Sequence, residues 1–173
     1  MSTKVAIPLV ALALAGSLLF ARANRATAAG SAATNLDVVA SVNIACTIAA
    51  VPVSFGNYDP SGANAAAPLD ATGGVSVNCT TNGGNVRVSL GQGQFPGPGS
   101  TNNVPRRRMG HAASRLSYNL YSDAAHSAVW DNNAGVKTGK IFPVLMTVYG
   151  RVPAAQMVPS GAYADTILAT VTF

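Results

Sequence analysis

Residues 36–48 alternate in character. Leu36, Val38, Ala40, Val42, Ile44, Cys46 and Ile48 share one parity, and Asp37, Ser41, Asn43 and Thr47 lie on the other. Side chains two apart on a strand share a face, so the pattern predicts one extended segment with a continuous apolar edge. At about 13 residues it is more than twice the usual strand of about 5–6. A strand of that length can serve two sheets, its rear half its own and its front half a neighbour's.

An export signal precedes it. Lys4 supplies a positive start, and residues 5–20 form an apolar run. Small-residue cleavage patterns follow at Ala21-Arg22-Ala23 and Ala26-Thr27-Ala28. Interrupted by Pro8 and Gly16, the run is short for a membrane span of about 20 residues, although Arg22 and Arg25 follow it. Residues 1–29 therefore read as a cleaved signal peptide, with 30–43 an N-terminal extension and 44–173 a single domain. Three of the eleven basic residues (Lys4, Arg22 and Arg25) leave with the signal. Eight remain against six aspartates, so the net charge falls from +5 to +2. That removes most of the case for a nucleic-acid or anionic-membrane partner. Glutamate is absent and lysine scarce, while Val, Thr, Asn, Gly and Ser abound, the composition of a turn-rich antiparallel β protein.

Two cysteines in an exported chain most simply form one disulfide, Cys46 to Cys79. The rival reading, two free thiols or a metal pair, lacks neighbouring His or Cys ligands. Asn78-Cys79-Thr80 has the form of a glycosylation triplet, but its central residue is the bridged cysteine.

Further strands are expected along the chain. Val51, Val53 and Phe55 alternate, and residues 74–80 place Val75, Val77 and Cys79 inward. Asn82-Gly83-Gly84-Asn85 reads as a hairpin into a return strand with Val86, Val88 and Leu90. Residues 91–104 read as loop, 116–121 and 143–149 as strands, and 123–140 as a polar connection holding Trp130. In the last strand, 166–173, the inward set is Ile167, Ala169, Val171 and Phe173. About seven strands and no helix longer than a turn predict an antiparallel β-sandwich of immunoglobulin-like dimensions. Nothing follows the final strand to cover it, which predicts an open edge or groove, an aggregation liability unless another strand fills it.

Elsewhere the bland readings weigh more. Arg106-Arg107-Arg108 reads as a solvated loop, and His111 and His126 as surface residues without a second ligand at metal spacing. Asp165 reads as a residue that pins a turn, and Trp130 as a core or loop anchor rather than a sugar platform. No nucleophile with its base and no carboxylate pair stands out, so neither catalytic residue, metal nor cofactor is expected.

Eight short runs in order carry a resemblance. They are Cys46-Thr47-Ile48, Val53-Ser54-Phe55-Gly56-Asn57-Tyr58, Val75-Ser76-Val77-Asn78-Cys79-Thr80, Arg108-Met109, Leu116-Ser117-Tyr118-Asn119-Leu120-Tyr121, Val148-Tyr149-Gly150-Arg151, Gly161-Ala162-Tyr163-Ala164-Asp165-Thr166 and Thr170-Val171-Thr172-Phe173. Together they resemble the spore coat protein U domain family, which includes subunits of archaic (Csu-type) chaperone–usher pili. Asp131 after Trp130 departs from the glycine common there and touches only that loop's turn.

The resemblance implies an incomplete immunoglobulin-like β-sandwich lacking its last strand. A periplasmic chaperone would fill the gap first. Through an outer-membrane usher, the N-terminal extension of an identical or related pilin subunit would then replace it. Leu36, Val38, Ala40 and Val42 would be the donor side chains, and Ile167, Ala169, Val171 and Phe173 the acceptor edge. The product would be a surface pilus that supports adhesion and biofilm formation. The alternative is a secreted coat, carbohydrate- or surface-binding sandwich that does not polymerise.

Overall fold

The computed structural model describes residues 30–80, 84–139 and 141–173. The expected signal at 1–29, Thr81, Asn82 and Gly83 of the expected hairpin, and Lys140 of the expected polar connection lie outside them. The chain divides at Ala40 into two units. Residues 30–40 hold neither helix nor strand, and Leu36, Val38 and Val39 are 86%, 87% and 90% exposed.

Residues 41–173 are built from β1 (Cys46–Val51), β2 (Leu69–Cys79), β3 (Arg87–Leu90), β4 (Arg107–His111), β5 (Ser114–Tyr121), β6 (Val136–Lys137), β7 (Val144–Val152) and β8 (Ala169–Thr172). One sheet runs β1-β2-β7-β5-β4 and the other β6-β3-β8, with every pairing antiparallel. Alternation along β5 shows why. Leu116, Tyr118 and Leu120 are buried, whereas Ser117 is exposed and Asn119 half-exposed between them. Val75, Val77, Val148 and Val152 join them from the same sheet, facing Val86, Val88 and Leu90 from the β3 side. Burying each of these aliphatics contributes roughly 1.5–3 kcal/mol.

Several expectations are corrected. The long first strand is only Cys46–Val51, because ladder bonds need a partner and β2 supplies one only from Cys79 back to Gly74. The hairpin is a crossover: β2 pairs with β1 and β7, while β3 lies in the other sheet. Both strands bury valines, so they face one another through the core rather than side by side. The arginine run is not a loop, since Arg107 and Arg108 belong to β4. Arg107 points inward at 1% exposure. Its Nε donates to Gly91 O (2.8 Å) and its Nη2 to Leu90 O and Trp130 O (both 2.7 Å). Burial pulls its pKa down to about 10, which still leaves it cationic at neutral pH. Trp130 is 1% exposed and donates its indole N–H to Val88 O (2.8 Å), an anchor as expected.

Just ahead of β8, Tyr163 donates its hydroxyl to Pro159 O, 2.9 Å away. That is the tyrosine corner of immunoglobulin-like sandwiches, a contact the sequence reading did not anticipate.

The Cys46–Cys79 disulfide joins directly opposed residues of β1 and β2. β1 is a sheet edge whose residues beyond Cys46 are all exposed, so little else holds it. For a sequence separation of 33, the chain-entropy model gives about 3–4 kcal/mol. A C46A/C79A chain should lose about that much in urea unfolding. Its β1 amides should also exchange sooner than those of β5 or β7.

On the outer face, Arg151 grips Asp70 through two bonds of 2.7 Å. His126 is not the surface residue expected: its side chain is 9% exposed, with Nε2 3.7 Å from Asp70. Its ring lies edge-on to Tyr121 and Tyr149. The hydrogen bond from Arg151 holds the Asp70 carboxyl below its usual value of 3.8. A carboxyl depressed in the fold stabilises above its unfolded value, and that contribution is lost as the pH falls through the folded one. Asp70→Asn should therefore flatten the loss of stability below about pH 4, measured by urea midpoints across the acid range.

Candidate functional site

An open groove of about 1080 Å³ lies over the inner face of the larger sheet. Its floor includes Val75, Leu116, Tyr118, Leu120, Val148 and Val152. One wall is residues 50–60 and the other residues 158–167, continuing to Ala169. Both walls are irregular apart from the end of β1 and a single bridge, Gly110 to Ala164. The smaller sheet ends at β8 and the larger at β1, and among the described residues no strand is hydrogen-bonded to the second edge of β8.

The first wall sits where it does because two strand glycines let it. After β1, Val53 and Phe55 pack down onto the larger sheet. A Cβ at Gly150 would stand 2.7 Å from Val53 Cγ1 and 2.8 Å from Phe55 Cζ. At Gly73 it would stand 2.7 Å from both Val51 O and Val53 Cγ2. Tyr58 ties down the far end of this wall, donating to Pro153 O (2.8 Å) and accepting from Gln156 N (3.0 Å).

The second wall hangs from the sheet by side chains. Asp165 Oδ1 accepts from Gln94 N (2.7 Å) and Thr166 N (2.8 Å), and Oδ2 from the Tyr118 hydroxyl (2.6 Å). The loop-pinning role expected for Asp165 is what this geometry provides. Burial and the bond to Asp165 push the Tyr118 phenol well above its ordinary value, so it stays protonated. His111, half-buried rather than on the surface, stacks at a tilt on Tyr163 of the same wall.

Of the residues expected at the acceptor edge, Ile167 and Ala169 line the groove, and Val171 packs on the core. Phe173 departs from its expected inward place. The ladder with β3 stops at Thr172, and Phe173 is 55% exposed. Leu36, Val38, Ala40 and Val42 are all exposed and outside any strand. The hydrogen bonds of the folded unit reach just ahead of β1: Thr80 N donates to Ala45 O (2.9 Å), and Ala45 N donates to Thr80 Oγ1 (3.1 Å). Sequence reasoning missed Tyr118 as a groove residue and Gly150 as the residue that lets the first wall settle, although the inward parity of Tyr118 on β5 was there to read. Among the described residues, no three His, Cys, Asp or Glu side chains gather as a metal site.

A two-sheet antiparallel sandwich with a tyrosine corner and one unfilled flank is an immunoglobulin-like domain. The chain belongs to the spore coat protein U domain family, whose sequence model matches residues 32–170. Protein U of Myxococcus xanthus is 45% identical over 158 residues, 84% of this chain and 87% of that one. The fold is similar to a chain in the crystal structure of the CsuC–CsuE chaperone–tip adhesion subunit pre-assembly complex, from the archaic chaperone–usher Csu pili of Acinetobacter baumannii. The TM-score is 0.50 at 24% identity, covering 77% of this chain and 40% of that chain. The chain thus spans less than half the length of that neighbour.

Proposed function

We propose that the protein is an exported structural subunit of a surface pilus that polymerises by strand donation. Residues 30–43 of one molecule occupy the groove of the next, with Leu36, Val38, Ala40 and Val42 facing inward. The observation that carries this reading is the groove itself, lying beside the free edge of β8. An entering strand gains backbone hydrogen bonds from that edge and apolar contacts from the floor. Ile167, Ala169 and Val171 are its nearest acceptor side chains, with Phe173 at the rim. A periplasmic chaperone holds the groove before assembly, and an outer-membrane usher directs the exchange at the cell surface. Adhesion and biofilm formation follow from the polymer.

One physical point supports donation to another molecule, and a second says where its affinity must come from. The bonds between Ala45 and Thr80 continue the line of β1 past the disulfide, whereas β1 meets the groove at its opposite end, Ala50 and Val51. Folding back would require breaking that continuation. Burying three large aliphatics and one alanine contributes roughly 5–10 kcal/mol. Ordering about eight free residues costs a similar amount, at about 1–2 kcal/mol each. The net affinity therefore rests on the backbone ladder and on a groove already in shape.

The chain without residues 30–43 tests the proposal. The mature protein should form polymers that come apart only at high dilution, and the shortened one should stay monomeric and take up a synthetic 30–43 peptide. If both are folded monomers of equal stability by size exclusion and urea unfolding, strand donation is wrong. The second reading, a non-polymerising coat protein, has its own support in the family description, spore coat protein U domain, and that outcome would favour it.

A further inference from the structure

The geometry points to a strut across the floor of the groove: Tyr118, latched to Asp165, acts as a positioning residue that fixes the groove's width for an incoming strand. This inference rests on the strand-acceptor reading. Tyr118 touches both walls. Its ring makes an edge contact with Phe55 of the first wall, centroid to centroid 6.1 Å. Its hydroxyl donates to Asp165 of the second wall at 2.6 Å. The ring is a rigid spacer, and its two ends hold the two irregular segments apart.

The latch is built on both sides. Asp165 is fixed by the backbone N–H groups of Gln94 and Thr166, so its carboxylate cannot follow Tyr118 if the wall shifts. Gly93 has φ +84°, and a Cβ there would collide with Asp165 Oδ2, so the glycine leaves room for the carboxylate. Tyr118 is 5% exposed, which leaves its hydroxyl no ready exchange for water. Without the latch, an apolar trough of this size would gain by narrowing, because its linings would then bury more surface against each other. A narrowed groove must be pried open before a strand can enter, and the affinity falls by the share of molecules that are closed.

The test compares the wild-type mature chain with Asp165→Asn and Tyr118→Phe. At high dilution, each is titrated with a fluorescent peptide of residues 30–43, and urea midpoints are taken with and without saturating peptide. The strut predicts peptide binding weaker by about tenfold or more in each variant, with the double variant no worse than the poorer single. The midpoint increment conferred by peptide should shrink accordingly. A merely structural role would lower the midpoints with and without peptide in parallel and leave the increment unchanged. Variants that bind within twofold of wild type overturn the strut. If wild type takes up no peptide, the acceptor reading falls and the strut with it. Should Asp165→Asn fail to fold, Tyr118→Phe, which removes only the hydroxyl, carries the comparison.

Discussion

Replacing Arg107 by methionine should lower the unfolding free energy by about 3–5 kcal/mol, with much smaller losses at its two neighbours. Methionine fills a comparable volume without offering a donor. The carbonyls of Leu90, Gly91 and Trp130 would then stay buried without the partner they have now. Leaving a buried acceptor unmade costs about 1–3 kcal/mol, and strain shared among three on adjacent segments makes a simple sum too large. Lysine keeps the charge but not the fork that serves all three, so Arg107→Lys should fall between. Arg108 donates to Phe95 O (3.1 Å) and Pro96 O (2.8 Å) from a half-exposed position, and its methionine variant should lose about 1 kcal/mol. Arg106 is exposed, and alanine there should change stability by no more than about 0.5 kcal/mol. Urea midpoints of the four variants check the ranking. Three similar losses would mean that the run behaves as the solvated stretch its sequence suggests.

The arginine run shows where local pattern stops being informative. Three adjacent cations with no apolar alternation look solvated, because periodicity reports which face is apolar and not which charge is needed inside. Arg107 is needed inside because residues 90–91 and the Trp130 loop leave carbonyls facing the core without strands to pair them. That demand arises only once two distant loops meet. The crossover between β2 and β3 was hidden for a related reason. Asn-Gly-Gly-Asn is the local mark of a tight turn, and whether the flanking strands pair or face each other is decided by which buried valines must meet.

Period-two signals with burial on one face were legible: β5, β7, the inward residues of β2 and β3, and the disulfide all stand where the residues put them. The groove was legible only in outline. Alternation in the last strand marked the groove's edge, but the walls are irregular segments held by Gly150, Gly73, Tyr58 and Asp165. Their roles depend on approaches of a few ångströms between residues far apart in the chain. The first strand was overextended for an instructive reason. Alternation in residues 36–45 describes a segment fit to be a strand, while the strand itself needs a second backbone, which β2 offers only from Cys46 onward.

That distinction gives the largest functional effect expected. Val38→Asp should weaken self-association of the mature chain by at least about 100-fold, while Val39→Asp should leave it within about threefold. In the unassembled chain the two valines are indistinguishable, at 87% and 90% exposure, so neither change should alter the stability of the folded unit. They differ in parity. In the proposed polymer residues 36–42 would extend along the β8 edge, with Val38 facing the floor of the groove beside Leu36, Ala40 and Val42, and Val39 facing water. An aspartate set among Val75, Leu116 and Val148 would be an unpaired charge in apolar surroundings, a penalty of several kcal/mol. A loss of about 2.7 kcal/mol already amounts to the 100-fold stated. Sedimentation of the two variants across a dilution series reads the result directly. Equal losses at positions 38 and 39 would mean that the segment associates without a fixed face, and insertion as a strand could not then be how the molecules join.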